Sequence, residues 1–530
     1  MTYLKYLETQ LQDGKISRRE FLGRATAIGL TFPAAVALAG KAVSAATPKR
    51  GGHLRVGMGH GSTTDSLDPG SFENDYMIFL GYCFRGHLTE ISETDQLSPD
   101  LAESWEASDD AVQWTFKIRQ GVEFHNGKTL DANDVVASIN HHRGADSKSA
   151  AKPIVDPIAD IKVDGDDIVV VTLEAGNADF PYIVSDYHLA IMPADGEGKV
   201  DWESGVGTGG YVIESYEPGV RADLKRFDNY WKQDRAHFDS GEALTIADVA
   251  ARTNALTTGE IDMMDRADIK TLDLLQRNQD IRVEETGGTG HYTFAMRTDT
   301  PPFDNNDVRL ALKYALNRDA LLQTILRGHG YLGNDHPIGK PNRYFASELP
   351  QRHYDPDKAK FHLKQAGLTE LTVPLHAADA AFPGAVDAAV LYKEHASKAD
   401  ITIDVVREPN DGYWSNVWMV KPWTAVYWSG RPTEDWMFST AYEAGANWND
   451  TFWVHERFNV LLHEARAELD EAKRREMYVE MQKIVSDEGG VVIPVFNNYV
   501  FAMSKKVEHG PMSSSWANDG QKGMERWWFA

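Results

Sequence analysis

Residues 97 to 139 read LSPDLAESWEASDDAVQWTFKIRQGVEFHNGKTLDANDVVASI. Their second half, GVEFHNGKTLDANDVVAS, reads as a strand, a turn and a helix. Asn126-Gly127 is a pair that accepts the positive φ of a tight turn. Asp131 and Asp134 stand at the start of the following helix, where carboxylates satisfy free backbone N–H groups. Outward from this segment, strand-like runs such as GGHLRVGM, WTFKIR, DIVVVTL and VVIPVF alternate with helical ones. One helix is expected from about Asn305 through Leu326, with Val308, Leu312, Ala315, Leu316 and Ile325 near one face. A second is YDPDKAKFHLKQAG, with Pro356 near its start and Gly367 as its stop. A third is expected from about Glu456 to Val485. The class is mixed α/β.

With 42% hydrophobic and 10% aromatic residues the chain can bury large cores, and its length exceeds what one core serves. Two lobes or more are expected. No repeat and no low-complexity linker divides them, so the lobes are interleaved or tightly apposed. The formal net charge of −25 makes nucleic acid and anionic membrane surfaces poor partners.

The N-terminus carries SRREFLG (Ser17 to Gly23) ahead of the weakly apolar run ATAIGLTFPAAVALAG. This looks like a twin-arginine export signal: Arg18 and Arg19 form the pair, Phe21 and Leu22 follow, and Lys41 lies beyond the run. A membrane anchor is disfavoured, because the run is shorter than the roughly 20 residues a spanning helix needs and Pro33 interrupts it. Small residues in AVSAATP allow cleavage after Ala45 or Ala46, so residues 1–45 are read as the signal and about 485 remain. The one cysteine, Cys83, excludes a disulfide framework and lies too far from the signal to carry a lipid. It reads as a small core residue. An unanchored exported protein implies a periplasm.

Catalytic and metal signals are weak. His141 and His142 are adjacent, which points their rings apart on a helix, and the other histidines lack ligand spacing. No HExxH, GxSxG, Walker loop or dinucleotide-binding turn is present. No metal and no cofactor is expected. Aromatic residues are the positive signal: seven of the fourteen tryptophans fall between 413 and 453. Rings in a segment broken by Gly, Pro and Asn suit the wall of a cleft, where they cover an amphipathic solute and leave a few polar groups to orient it.

The segment Leu97 to Ile139 resembles the signature region of the family 5 extracellular solute-binding proteins, the peptide and nickel receptors of ABC importers. The likeness continues in order through SLDPG, GTGGYVI, RFDNYW, ARTNALTTGEIDMM, PPFDNNDVRLALKYALNRDAL, YDPDKAKFHLKQAGL and VVIPVF. It implies a two-lobed periplasmic binding protein fold of type II, with mixed sheets, hinge strands and an extra subdomain in lobe 1. Lobe 1 would span 46–290, lobe 2 291–496, and 497–530 would return to lobe 1. The function implied is capture of a solute and its delivery to an inner-membrane permease by a monomeric receptor that is not an enzyme. A nickel-chelate receptor of the same fold and an exported hydrolase are the alternatives.

The resemblance also nominates a site. Peptide receptors of this family place an aspartate shortly after a Trp-containing strand to pair with the ligand's amino group. Here the strand is AVYWSG, and the aligned residue is Arg431. That inverts the charge preference toward an anionic, peptide-like or opine-like solute; a four-residue slip would give Asp435 the ordinary role. Trp428 and Trp448 are the aromatic candidates. The loop after SLDP nominates Glu73, Asn74 and Tyr76, and HYTFAMRTDTPPF at the lobe crossing nominates Tyr292 and Arg297. Replacing Arg18 and Arg19 together by Lys is expected to leave uncleaved precursor in the cytoplasm, because the route reads the guanidinium pair. Fractionation and immunoblotting check this, and normal export of the double variant would remove the twin-arginine reading.

Overall fold

The computed structural model describes residues 48–410 and 413–530; the expected export signal lies outside the described residues. Two mixed sheets carry the chain. The first has seven strands in the order Ile281–Thr286, Tyr499–Ser504, Met263–Met264, His53–Met58, Ser240–Thr245, Arg221–Arg226 and Tyr211–Glu217. The second has six: Gly330–Leu332, Val491–Asn497, His291–Met296, Trp423–Trp428, Leu371–Ala377 and Ile401–Arg407. Helix Ala385–Ala396 crosses between the parallel pair Leu371–Ala377 and Ile401–Arg407. Both faces of the second sheet are covered: Phe294, Met296, Val492 and Val495 enter one core, Ala295, Val491, Ile493 and Phe496 the other. That two-sided burial is why VVIPVF is a continuous apolar run rather than an alternating one.

The backbone passes from the first sheet to the second through Gly287–Gly290 and returns through Asn498. Strands on either side of both passages pair antiparallel, Thr286 with Tyr499 in the first sheet and His291 with Phe496 in the second. Between them Asn497 donates its N–H to Gly290 O at 3.0 Å.

A four-stranded antiparallel sheet, Ala102–Ala107, Gln113–Ile118, Ile168–Leu173 and Ile158–Val163, forms a separate unit. Helix Ala132–His141 shares its core, which includes Trp114, Phe116, Val135, Ile139, Val169 and Val171. Asp131 caps that helix by accepting from Asn133 and Asp134 N–H, and Asp134 accepts back from Asp131 N–H. Gly127 turns with φ +83°, but the strand expected before it shrinks to one bridge, Glu123 with Thr129. Cys83 is buried in the first-sheet core.

Helix Pro356–Gln365 begins and ends as expected, with Asp355 as cap and Gly367 at φ +78°. The two longer helices do not hold together. The first divides into Asn306–Tyr314 and Arg318–Ile325, because the Asn317 side chain accepts from Ala320 N–H and starts a new helix. The other divides into Glu456–Ala467 and Glu471–Glu488, where Asp470 accepts from Ala472 and Lys473 N–H. Apolar spacing runs through both breaks, and a local side-chain cap outcompetes it.

Buried polar side chains tie these helices to the second sheet and to one another. Asp335 accepts from Arg318 Nη2 at 2.6 and 2.7 Å and from Ile493 N–H at 2.9 Å. Lys313 donates to the carbonyls of Ser486 at 2.8 Å and Gly489 at 2.9 Å. Asp335→Ala leaves the Arg318 guanidinium buried without its anion, and is expected to cost about 3–5 kcal/mol of stability. Urea unfolding of the parent and the variant checks this.

Candidate functional site

Strand Trp423–Trp428 pairs with His291–Met296 in the register His291 with Trp428, so it ends beside the hinge. Gly430 then backs onto the hinge: a Cβ built there would overlap the Thr289 side chain. The tight contact fixes the loop that carries Arg431. Its Nη1 donates to Ser429 O at 3.0 Å, Ser429 Oγ at 3.3 Å and Gly430 O at 3.2 Å, and the guanidinium lies 6.0 Å from the Trp436 ring. Among the described residues no carboxylate pairs with it, and Nε and Nη2 have no protein partner.

The neighbouring acids are engaged elsewhere. Glu434 accepts from Tyr344 N–H at 2.6 Å, and Asp435 accepts from Arg466 Nε at 3.0 Å. Burial pushes Arg431 below its usual range, opposed by Tyr187, Asp186, Tyr427 and Tyr499. Tyr187 and Asp186 belong to the loops of the first half of the chain and Tyr499 to the seven-stranded sheet, so Arg431 looks across the gap between the sheets.

The facing wall is aromatic and charged. Tyr187 lies against His188 with centroids 4.0 Å apart and planes tilted by 35°, and meets Trp516 edge-on at 5.9 Å. Glu73 is exposed and close enough to act on Tyr187. Arg266 binds Asp75 Oδ2 through Nε at 2.9 Å and Nη2 at 2.6 Å. On the second-sheet side Trp418, Trp428 and Trp448 form a triangle with centroids 6.2 to 6.3 Å apart, and Trp414 and Tyr427 extend it. Inside it, Asp450 accepts from Trp418 Nε1 at 3.1 Å and Trp428 Nε1 at 3.3 Å.

Several nominated residues are drawn away from the gap. Tyr76 is fully buried, and its hydroxyl donates to Ala243 O at 3.1 Å. Helix Asp75–Phe84 is covered nearly all round, which its sequence does not show. The Asn74 side chain caps that helix at Met77 N–H and donates to Asp65. Arg297 lies at the far end of the strand from the hinge, bound to Asp299 at 2.8 Å and over Phe452 at 4.0 Å. Asp435 is buried against Arg466, which leaves the shifted alignment no free carboxylate. Tyr292 stacks flat on Phe382 at 4.0 Å. Tyr187, Tyr499, Trp418 and Asp450 were not nominated; for Trp418 the aromatic window was a signal, and for Tyr187 and Tyr499 none exists.

A second contact joins the two halves away from the hinge. Asp179, beside the four-stranded unit, accepts from Arg474 Nη1 at 2.7 Å with both side chains buried. Ala178 N–H donates to Arg466 O at 2.7 Å. Among the described residues, no group of three or more His, Cys, Asp or Glu side chains could hold a metal ion, and no helix is long and apolar enough to cross a membrane.

Two sheet-centred halves, joined by paired strands and facing each other across aromatic and charged walls, make the architecture of a two-lobed binding protein. The chain belongs to the bacterial extracellular solute-binding proteins, family 5, whose middle-region model matches residues 96–450. It is similar to the dipeptide-binding protein of Escherichia coli K12, 26% identical over 459 residues that cover 78% of this chain and 84% of the relative. It also resembles the glutathione-binding protein GsiB of Salmonella paratyphi A, 28% identical over 58% of this chain and 60% of that protein. In fold it matches the periplasmic binding protein DppA of Helicobacter pylori, solved with the peptide STSA, at a TM-score of 0.72 and 21% identity, covering 91% of this chain and 98% of that one.

Burial holds the Glu434 carboxyl at about 7, well above its ordinary 4.5. The folded state therefore keeps a proton that the unfolded chain gives up, so stability falls as pH rises from about 4.5 through about 7. Glu434→Gln keeps an acceptor for Tyr344 and carries no charge. It is expected to remove a loss on the order of 3 kcal/mol across that window, read from urea midpoints at several pH values.

Proposed function

We propose that this protein captures a small peptide-like or opine-like solute with at least one anionic group, and hands it to an inner-membrane ABC permease. It acts in the periplasm as a free monomer, exported by the twin-arginine route. Lobes 46–290 and 291–496 close on the solute, with 497–530 completing the first. Binding and release, rather than chemical conversion, are its work. The dipeptide- and glutathione-binding relatives support the peptide-like class.

The observation that carries the anionic preference is Arg431: a guanidinium at the hinge end of the cleft, with no carboxylate partner among the described residues and with Nε and Nη2 open. A carboxylate can take those two N–H groups as parallel bonds. Trp428 lies beside this position on the same strand end, and Tyr187, Tyr499 and Glu73 line the opposite wall. Tyr187 and Tyr499 offer hydroxyls to an anion, while Glu73 disfavours a second anionic group at its end of the gap.

Mass spectrometry of small molecules released from the purified protein identifies the solute class. A nickel chelate would favour the alternative receptor reading, and turnover of the released compound would overturn capture. Against the released solute, Arg431→Ala is expected to cost about 2–5 kcal/mol of affinity in calorimetry, as for truncating one side of a buried charge pair. Arg431→Lys should recover part of it, since charge returns without the planar fork. If Arg431→Ala binds like the parent, the anionic preference is wrong.

A further inference from the structure

Two of the three tryptophans in the triangle hold a carboxylate that they do not neutralise. Asp450 is 5% exposed, and among the described residues no Lys, Arg or His pairs with it. Both indole N–H groups converge on one oxygen, Oδ2, at 3.1 and 3.3 Å, and among the described residues no side chain donates to Oδ1. A buried carboxylate is costly unless it meets a cation or a full set of donors. Burial accordingly pushes its carboxyl up to about 6, and the two indoles draw it back.

The surroundings suit a cation from outside. Trp418, Trp428 and Trp448 are tilted against one another by 53° to 69°, so their faces do not stack shut on one another. Trp448 is 49% exposed and opens the group to solvent. Ring faces attract ammonium groups through their quadrupoles, and attract them more when the site is desolvated. With a carboxylate behind them, the field has one sign.

We propose that Asp450 and Trp418, Trp428 and Trp448 form a subsite for an ammonium group, primary or alkylated, on the same solute whose anionic end meets Arg431. This rests on the receptor reading above and sharpens it: the solute is zwitterionic, with its charges on either side of Trp428. The position differs from the residue after AVYWSG, which in this chain is the arginine. The carboxylate that receives the cation comes instead from the loop 22 residues beyond Trp428. Trp428 serves both ends, because its strand position fixes the Arg431 loop and its indole N–H holds Asp450.

The test uses the full ¹⁵N-labelled protein and probes that need no knowledge of the solute. Tetramethylammonium chloride and methylammonium chloride are titrated while the indole Nε1–H resonances of Trp418 and Trp428 are followed, with tert-butanol as the uncharged control and sodium chloride at matched ionic strength. Both ammonium salts are expected to give saturable shifts that neither control gives. Asp450→Asn, which keeps the acceptor for the indoles, should weaken the response at least about tenfold, the loss of a desolvated charge contact. Trp448→Leu, at an exposed position, should weaken tetramethylammonium binding with the fold intact. Equal shifts with tert-butanol, no shifts, or a response that survives Asp450→Asn and Trp448→Leu unchanged would each overturn the subsite. The Arg431 series uses no cation, so silent indoles beside a bound anionic solute would remove this subsite and leave the receptor reading standing.

Discussion

Everything in this molecule hangs on two strands that leave one sheet and enter another side by side. Ile281–Thr286 and Tyr499–Ser504 pair in the first sheet, and His291–Met296 and Val491–Asn497 pair in the second. Between them stand Gly287–Gly290 on one strand and Asn498 on the other. Backbone hydrogen bonds to both sides of this short gap resist shear and stretching, while the residues without ladder partners can bend. Of relative motions, this connection would leave the two halves a rocking about an axis beside Thr289. Because Gly430 rests on Thr289, the Arg431 loop sits at that axis, where a solute can touch both halves whatever the opening angle of the outer rim.

Away from the axis, closure has to be stabilised by contacts of another kind. Asp179 and Arg474 form a buried pair between the four-stranded unit and helix Glu471–Glu488. Such a pair loses hydration when it forms and regains it when the halves part, so its net contribution is small compared with its Coulomb energy. That suits the opening and closing proposed for the two halves. The internal clamp at Asp335 differs: it is closed by Arg318 and by a backbone N–H of strand Val491–Asn497 within one half, and nothing in the rocking motion exposes it.

Several strands and the ends of helix Pro356–Gln365 and the start of helix Ala132–His141 are legible in the sequence because their signals are local. Pro356 and Gly367 each act within a turn of their helix end, Asp131 and Asp134 act within one turn, and the run VVIPVF reads as a strand. The helices around Asn317 and Asp470 read as continuous for the same reason in reverse: apolar periodicity persists where a cap breaks the backbone. Arg431 could be singled out because it departs from a family pattern at a countable distance from a Trp-containing strand. Tyr187 and Tyr499 could not, since they face Arg431 from chain segments more than sixty residues away. Tyr76 and Arg297 failed as cleft residues because a sequence does not reveal how much of a helix is covered, or which end of a strand points to the hinge.

The charge of the whole chain bears on what a lone guanidinium can do. A formal net charge of −25 creates a field that opposes an anion approaching from solution, but that field is screened over roughly 8 Å at physiological ionic strength. Inside the cleft screening is weaker, and Arg431 has no carboxylate partner among the described residues. On the proposed reading, an anionic solute would be discouraged at long range and held at short range, with affinity set by slow release rather than fast encounter. A zwitterion meets less opposition on approach, since the same field draws its ammonium end inward. On the proposed reading, Arg431 and Asp450, both anchored through the end of strand Trp423–Trp428, would place opposite charges on either side of Trp428 and so select for a solute that carries both.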